Sequence, residues 1–256
     1  EINIDPSKIE KRARLIYNTE QIQADIKEKT EKNSITPIIL GEIMANAVSL
    51  INTEIVNNLY TEGNNVLGIV RELEVPEGFT SIADNAFENE NFSEISLPDS
   101  LISIGNRAFY GNDTLNQLNI PPNLETIGER AFSSINTCGD VVIPNSVTTI
   151  EIQAFRNSRI KSLVLGTGIT EIPTGCFQAI GFGDAITALT IPANVTAIRE
   201  YAFTSHNIET LVIPNTVTTL EQNAFASNNI SDLTLGTGIT TIPDNCFSSN
   251  NLSGNL

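Results

Sequence analysis

Leu211-Val-Ile-Pro-Asn-Thr-Val-Thr-Thr-Leu-Glu-Gln-Asn-Ala-Phe225 decides the fold, because the chain repeats it. The pattern Leu-x-Ile-Pro-x-x-Val-Thr-x-Leu-x-x-x-Ala-Phe returns in seven further variants. The Phe that closes each copy falls at Phe87, Phe109, Phe132, Phe155, Phe177, Phe203, Phe225 and Phe247. The gaps are 22, 23, 23, 22, 26, 22 and 22 residues. A steady period of this length marks a solenoid, in which each unit stacks on its neighbours.

Energetics explain why the units must stack. One unit offers about six apolar side chains, each contributing roughly 1.5–3 kcal/mol when buried. Ordering about 22 residues costs on the order of 1–2 kcal/mol each. A unit alone is therefore unstable, and burial of both its faces by neighbours makes the array fold. Within the unit, the Leu-x-Ile pairs read as a short strand with both members inward and the residue between them outward. Pro or Gly follows directly and stops the strand. Val-Thr-x-Ile supplies a second short extended segment, and x-x-x-Ala-Phe is expected to form a single helical or 3₁₀ turn. Eight first strands at about 4.8 Å spacing predict a parallel sheet about 35–40 Å long.

These residues carry a family resemblance. Ile143-Pro-Asn-Ser-Val-Thr-Thr-Ile150 with Ala154-Phe155, and Ile213-Pro-Asn-Thr-Val-Thr-Thr-Leu220 with Ala224-Phe225, resemble the BspA-type (Treponema-type) leucine-rich repeat of bacterial surface proteins. The resemblance covers roughly residues 66–256, about eight repeats. It implies a leucine-rich repeat solenoid used as a binding surface, often in adhesion to host proteins or other cells, with no catalytic residues and no cofactor. It also implies a cell-surface or secreted location. Two variants depart from the pattern: Leu165-Gly-Thr-Gly168 and Leu235-Gly-Thr-Gly238 replace the Pro, and Cys176 and Cys246 replace the Ala. Lying 70 residues apart, they suggest a duplicated block of three repeats.

Residues 1–65 read differently. Asp5-Pro6 caps a first amphipathic helix over 1–33, and Thr36-Pro37 starts a second running to about Tyr60. Joined by a short turn, they predict an antiparallel helical hairpin, so the whole chain is expected to be an α+β solenoid with an N-terminal α-helical hairpin. The hairpin is either a cap on the first repeat or a docking module. Thr61-Glu-Gly-Asn-Asn65 is the joint.

Composition narrows the partners. The net charge of -16 disfavours nucleic acid and anionic lipid, both of which need positive surface. No apolar run approaches the ~18 residues of a membrane span. Localisation is not readable at the N-terminal end, which opens at Glu1 without a charged-then-apolar signal pattern.

Candidate chemistry is sparse. Cys138, Cys176 and Cys246 all fall on core columns, where a free thiol behaves as a small hydrophobe. Three repeats put Cys176 and Cys246 about 14 Å apart, beyond the roughly 4.4–6.8 Å Cα separation of a disulfide. His206, the single histidine, reads as a loop residue with no second His to share a metal. Gly166-Thr-Gly168 and Gly236-Thr-Gly238 lack the third Gly and long helix of a phosphate loop and are read as tight corners. No metal site and no catalytic constellation is expected.

The outward rows of the first strands remain. One row contains Glu72, Glu94, Gln117, Asp140, Ser162, Ala188, Thr210 and Asp232; the next contains Glu74, Ser96, Asn119, Val142, Val164, Thr190, Val212 and Thr234. Glu72, Glu74 and Glu94 make an acidic end, and Val142, Val164 and Val212 a mildly apolar middle. The valines are either a contact stripe or simple β-propensity. Repeat five carries four extra residues in Gln178-Ala-Ile-Gly-Phe-Gly-Asp184, where Ile180 and Phe182 belong to a self-packed bulge or a contact loop. After Phe247 the pattern stops within a repeat and shows no cap, which predicts a shortened chain or a last repeat covered by a partner.

Two function classes remain open. One is a non-enzymatic module binding a host or bacterial surface protein or a glycan. The other is a structural or receptor-binding part of a phage tail-like assembly, docked through the hairpin. A homo-oligomer through the hairpin or the open last repeat fits either.

Overall fold

Each 22-residue unit makes one turn of a three-sided solenoid. The computed structural model describes residues 72–75, 77–136, 139–179 and 186–253. All of them belong to the second of the two units into which the chain divides, Ile69–Leu256. The expected helical hairpin lies outside the described residues, as do Cys138, Ile180 and Phe182.

The first side holds β1 (Glu72–Glu74), β3 (Glu94–Ser96), β6 (Asp140–Val142), β8 (Ser162–Val164), β11 (Thr210–Val212) and β13 (Asp232–Thr234). The second holds β2 (Ser81–Ile82), β4 (Ser103–Ile104), β5 (Thr126–Ile127), β7 (Thr149–Ile150), β9 (Glu171–Ile172), β10 (Ala197–Ile198) and β12 (Thr219–Leu220). All pairings are parallel and in register, so Leu163 sits beside Val141 and Ile150 beside Ile127. The expected single eight-stranded sheet is not formed. The first side consists of the pairs β1-β3, β6-β8 and β11-β13, with one bridge from Ala188 to Thr210. The second is split into β2-β4-β5-β7 and β9-β10-β12.

The third side corrects a second expectation. No helix occurs among the described residues, and x-x-x-Ala-Phe is a run of consecutive β-turns. The N–H of Ala86 turns back to the Ala83 carbonyl at 3.3 Å, while those of Asn85 and Phe87 reach the Asn106 and Ala108 carbonyls of the next unit at 2.8 Å. Alternate N–H groups can point along the array only because the residue before each Ala-Phe or Cys-Phe is left-handed. Asn85, Arg107, Arg130, Gln153, Gly175, Tyr201, Asn223 and Asn245 all have φ of 52–58°. A helical turn would direct its N–H groups into its own unit. Left-handed backbone costs a non-glycine residue about 1–2 kcal/mol, and each ladder bond contributes about 1 kcal/mol in return. This ladder crosses all seven junctions between the eight Phe-closed units. Phe87, Phe109, Phe132, Phe155, Phe177, Phe203 and Phe225 each donate to the next unit at 2.8–3.0 Å.

The core is organised in columns. The eight phenylalanines form one continuous stack, with successive centroids 5.3–5.8 Å apart and planes within 19°. Phe92 packs edge-on against the first ring, Phe87. Burial weakens in the last unit, where Leu233, Leu235, Ile239 and Phe247 are only half-buried and Ile242 is exposed. A column member needs a neighbour on both sides to leave water.

Gly166 and Gly236 answer a steric demand rather than a conformational one, since neither has positive φ. A Cβ at Gly166 would lie 2.3 Å from the Pro144 carbonyl oxygen, and one at Gly236 2.3 Å from that of Pro214. The same junctions carry an N–H bond from Thr167 to Asn145 Oδ1 and from Thr237 to Asn215 Oδ1, both 2.9 Å. Gly166→Ala is therefore expected to lose about 1–3 kcal/mol by forcing two packed backbones apart. Chemical denaturation of the single variant measures it.

Candidate binding face

Most outward positions on the first side are displayed as the alternation demands. Glu74, Glu94, Asn119, Asp140, Thr190, Thr210, Asp232 and Thr234 are exposed, as are Ser96, Gln117, Ser162 and Ala188. Strand register pairs Glu72 with Glu94, Glu74 with Ser96, Asp140 with Ser162, and Thr210 with Asp232. Val142 and Val164 are direct register partners, 52% and 53% exposed, and Val212 is 55% exposed one repeat beyond Thr190. Val141, Leu163 and Leu211, their chain neighbours, are buried. The valine row is thus apolar surface left over after the core is filled.

Ion pairs between described residues lie on the second and third sides. Arg107 pairs with Glu88 and lies 4.2 Å over the Tyr110 ring. Arg199 grips Glu171 with two bonds of 2.9 and 2.7 Å and Glu221 with one of 2.9 Å. Its guanidinium holds the Glu171 carboxyl below the usual carboxylate range. Arg130 donates to Gln153 at 2.6 Å and Arg156 to Gln178 at 3.0 Å. These arginines occupy the second and third sides. On the first side Glu74, Glu94, Asp140 and Asp232 form no ion pair among the described residues, and neither does Glu209 beside β11.

His206 lies in the loop after Phe203, as expected, but it is buried there. It is 4% exposed and belongs to a buried polar column three residues after the Phe. Asn112, Asn228 and Asn250 share that column. Asn228 Nδ2 donates to the carbonyls of Phe203 and Phe225 at 2.9 and 3.1 Å, and its Oδ1 accepts the Ile208 N–H at 3.2 Å. Asn112 and Asn250 repeat the same bonds in their own units. His206 imitates them: Nδ1 accepts the Ile186 N–H at 3.3 Å, so Nε2 is the protonated nitrogen and donates to the Phe177 carbonyl at 2.6 Å. Burial pushes its pKa down to about 4, against the pull of that carbonyl. The recurrence of Asn at this spacing was the available signal.

The thiols of Cys176 and Cys246 are buried in the Ala column. Burial raises both, that of Cys246 to about 12. Such thiols are poor nucleophiles and poor ligands. Among the described residues no three of His, Cys, Asp and Glu come together as a metal-binding group. Among them, too, no helix is long and apolar enough to cross a membrane.

The model of the BspA type leucine rich repeat region matches residues 43–181 and 182–255, in six copies. The chain belongs to this family. The match begins well before residue 66, where the repeat pattern becomes visible. Among solved structures, the BspA-type array is similar to a leucine-rich repeat protein from Bacteroides ovatus, at 27% identity and a TM-score of 0.56 over 63% of this chain. It is also similar to a leucine rich cell surface protein from Faecalibacterium prausnitzii, at 26% identity and 0.52 over 64%. The chain spans 42% and 48% of the length of those two proteins. No curated protein matches it.

Proposed function

We propose that this BspA-type array is a non-enzymatic binding module of a bacterial cell-surface or secreted protein, acting in protein–protein interaction or adhesion to a host. The contact face is the first side, with Glu72, Glu74, Glu94, Asn119, Asp140, Val142, Val164, Thr190, Thr210, Val212, Asp232 and Thr234. The observation that carries the reading is the paired exposure of Val142 and Val164, apolar area that the fold itself does not use. Interface centres are enriched in such area relative to charged surface. The F. prausnitzii relative, a cell surface protein, supports the location.

The test compares beads coated with the whole chain for attachment to host cell monolayers. Val142→Asp with Val164→Asp is expected to abolish attachment, and Thr148→Asp with Thr218→Asp on the second side to leave it unchanged. Equal loss in both, or no attachment by the unaltered chain, contradicts the proposal.

A further inference from the structure

We propose that the third side holds a site for a carboxylate-bearing sugar, in which Arg130 and Arg156 take the carboxylate and Gln153, Gln178 and Tyr201 the ring. This site is separate from the first side and does not depend on it. Two arginines of the array are engaged with carboxylates: Arg107 with Glu88, and Arg199 with Glu171 and Glu221. Arg130 and Arg156 are held by neutral amides instead. Arg130 Nε donates to Gln153 Oε1 at 2.6 Å, and Arg156 Nε to Gln178 Oε1 at 3.0 Å. Among the described residues Arg156 forms no ion pair, and Arg130 has only Glu129, at 3.8 Å, too long for a hydrogen bond. An amide oxygen fixes a guanidinium without cancelling its charge, and a grip through Nε leaves the terminal nitrogens to donate elsewhere.

Gly175 brings the two pairs together. It is the one member of the left-handed column without a side chain, and it is buried beneath its neighbours. A Cβ there would lie 3.2 Å from Gln153 Cγ, 3.7 Å from Gln153 Nε2 and 3.6 Å from Gln178 Oε1. Both amides therefore close over one point, and each holds an arginine beside it. Tyr201 follows Gly175 in the column, in the unit tied on by the Gly175 N–H to the Glu200 carbonyl at 2.8 Å, and is 37% exposed. The Glu200 carboxylate is drawn toward the unit beyond, where Gln222 Nε2 donates to it at 2.5 Å. Guanidinium matches a planar carboxylate with two parallel bonds. Gln offers both a donor and an acceptor to ring hydroxyls, and Tyr an apolar face with a polar tip. A neutral sugar leaves both charges unused, and an acidic peptide leaves the amides and the ring unused. More distant acids of the chain are screened beyond about 10 Å at 0.1 M salt.

The test titrates the whole chain with a labelled galacturonic acid oligomer, its methyl ester and an oligoglutamate of equal length, read by anisotropy. The free acid is expected to bind, and the ester and the peptide at least tenfold more weakly. Gln153→Glu with Gln178→Glu supplies each arginine with a carboxylate of its own, and should weaken binding of the acid at least tenfold while leaving the urea midpoint no lower. Thr148→Glu with Thr218→Glu, an equal charge change on the second side, should weaken it less than twofold. Equal weakening by both pairs means general repulsion by an acidic protein and overturns the proposal. So does binding of the ester or the peptide as tight as that of the acid, or no binding of the acid by the unaltered chain.

Discussion

Phe155→Ala is expected to destabilise the array by about 3–5 kcal/mol, the range for truncating a fully buried aromatic residue. Phe155 is 1% exposed and lies midway in the stack, 5.3 Å from the rings of both Phe132 and Phe177. Its removal deletes two stacked pairs, each contributing about 0.5–1.5 kcal/mol beyond burial. The void cannot collapse readily, because the Phe155 backbone is fixed on both sides by the ladder bonds of Phe132 to Ala154 and Phe155 to Cys176. Stability in a repeat array is a sum of unit and junction contributions, so two junctions weaken at once. Phe247→Ala is the comparison: that ring stacks on Phe225 alone and is only half-buried, so about half the loss is expected. Urea unfolding followed by circular dichroism measures both. Equal midpoints for the two variants would show that the stack does not act as a column.

The second large effect is acid sensitivity through His206. Its pKa is about 4 in the folded chain and about 6.5 when unfolded. Between those values the unfolded state binds the proton and the folded state does not, so stability falls as pH falls. The loss begins near pH 6.5 and is complete near pH 4, amounting to about 3 kcal/mol at about 1.4 kcal/mol per pH unit. Protonation also turns Nδ1 from acceptor to donor, opposing the Ile186 N–H that it now receives. His206→Asn should flatten this part of the profile, since Asn already serves the same column at Asn112, Asn228 and Asn250. Urea midpoints of wild type and variant at half-unit steps from pH 7.5 to 4 decide it. Parallel profiles would mean that His206 does not carry the loss.

The same residue shows where reading a sequence stops. A lone His after Phe203 carries no periodic signal of its own. Its meaning comes from the Phe177 carbonyl and the Ile186 N–H, which are brought to it from 29 and 20 residues away. The asparagines of that column were legible as a recurrence but not as buried groups, because polarity alone predicts exposure. Val142 and Val164 were legible as outward, because side chains alternate strictly along a strand. That they adjoin across β6 and β8 followed from the repeat length, and the register bears this out.

Period, most strand positions, inward columns and the family were written in the residues, since a 22-residue repeat with β-branched alternation admits few folds, although no strand forms at 117–119 or 188–190. The third side was decided only by stacking. Asn85, Asn223, Asn245 and Gly175 are residue types that favour left-handed backbone, but Arg107, Arg130, Gln153 and Tyr201 are not, and each of these adopts it where the next unit offers a carbonyl in line with its N–H. The breaks in the two sheets, the glycines pressed against Pro144 and Pro214, and the self-neutralised arginines on the other sides belong to the same class. They arise from distances between neighbouring turns, which no local preference encodes.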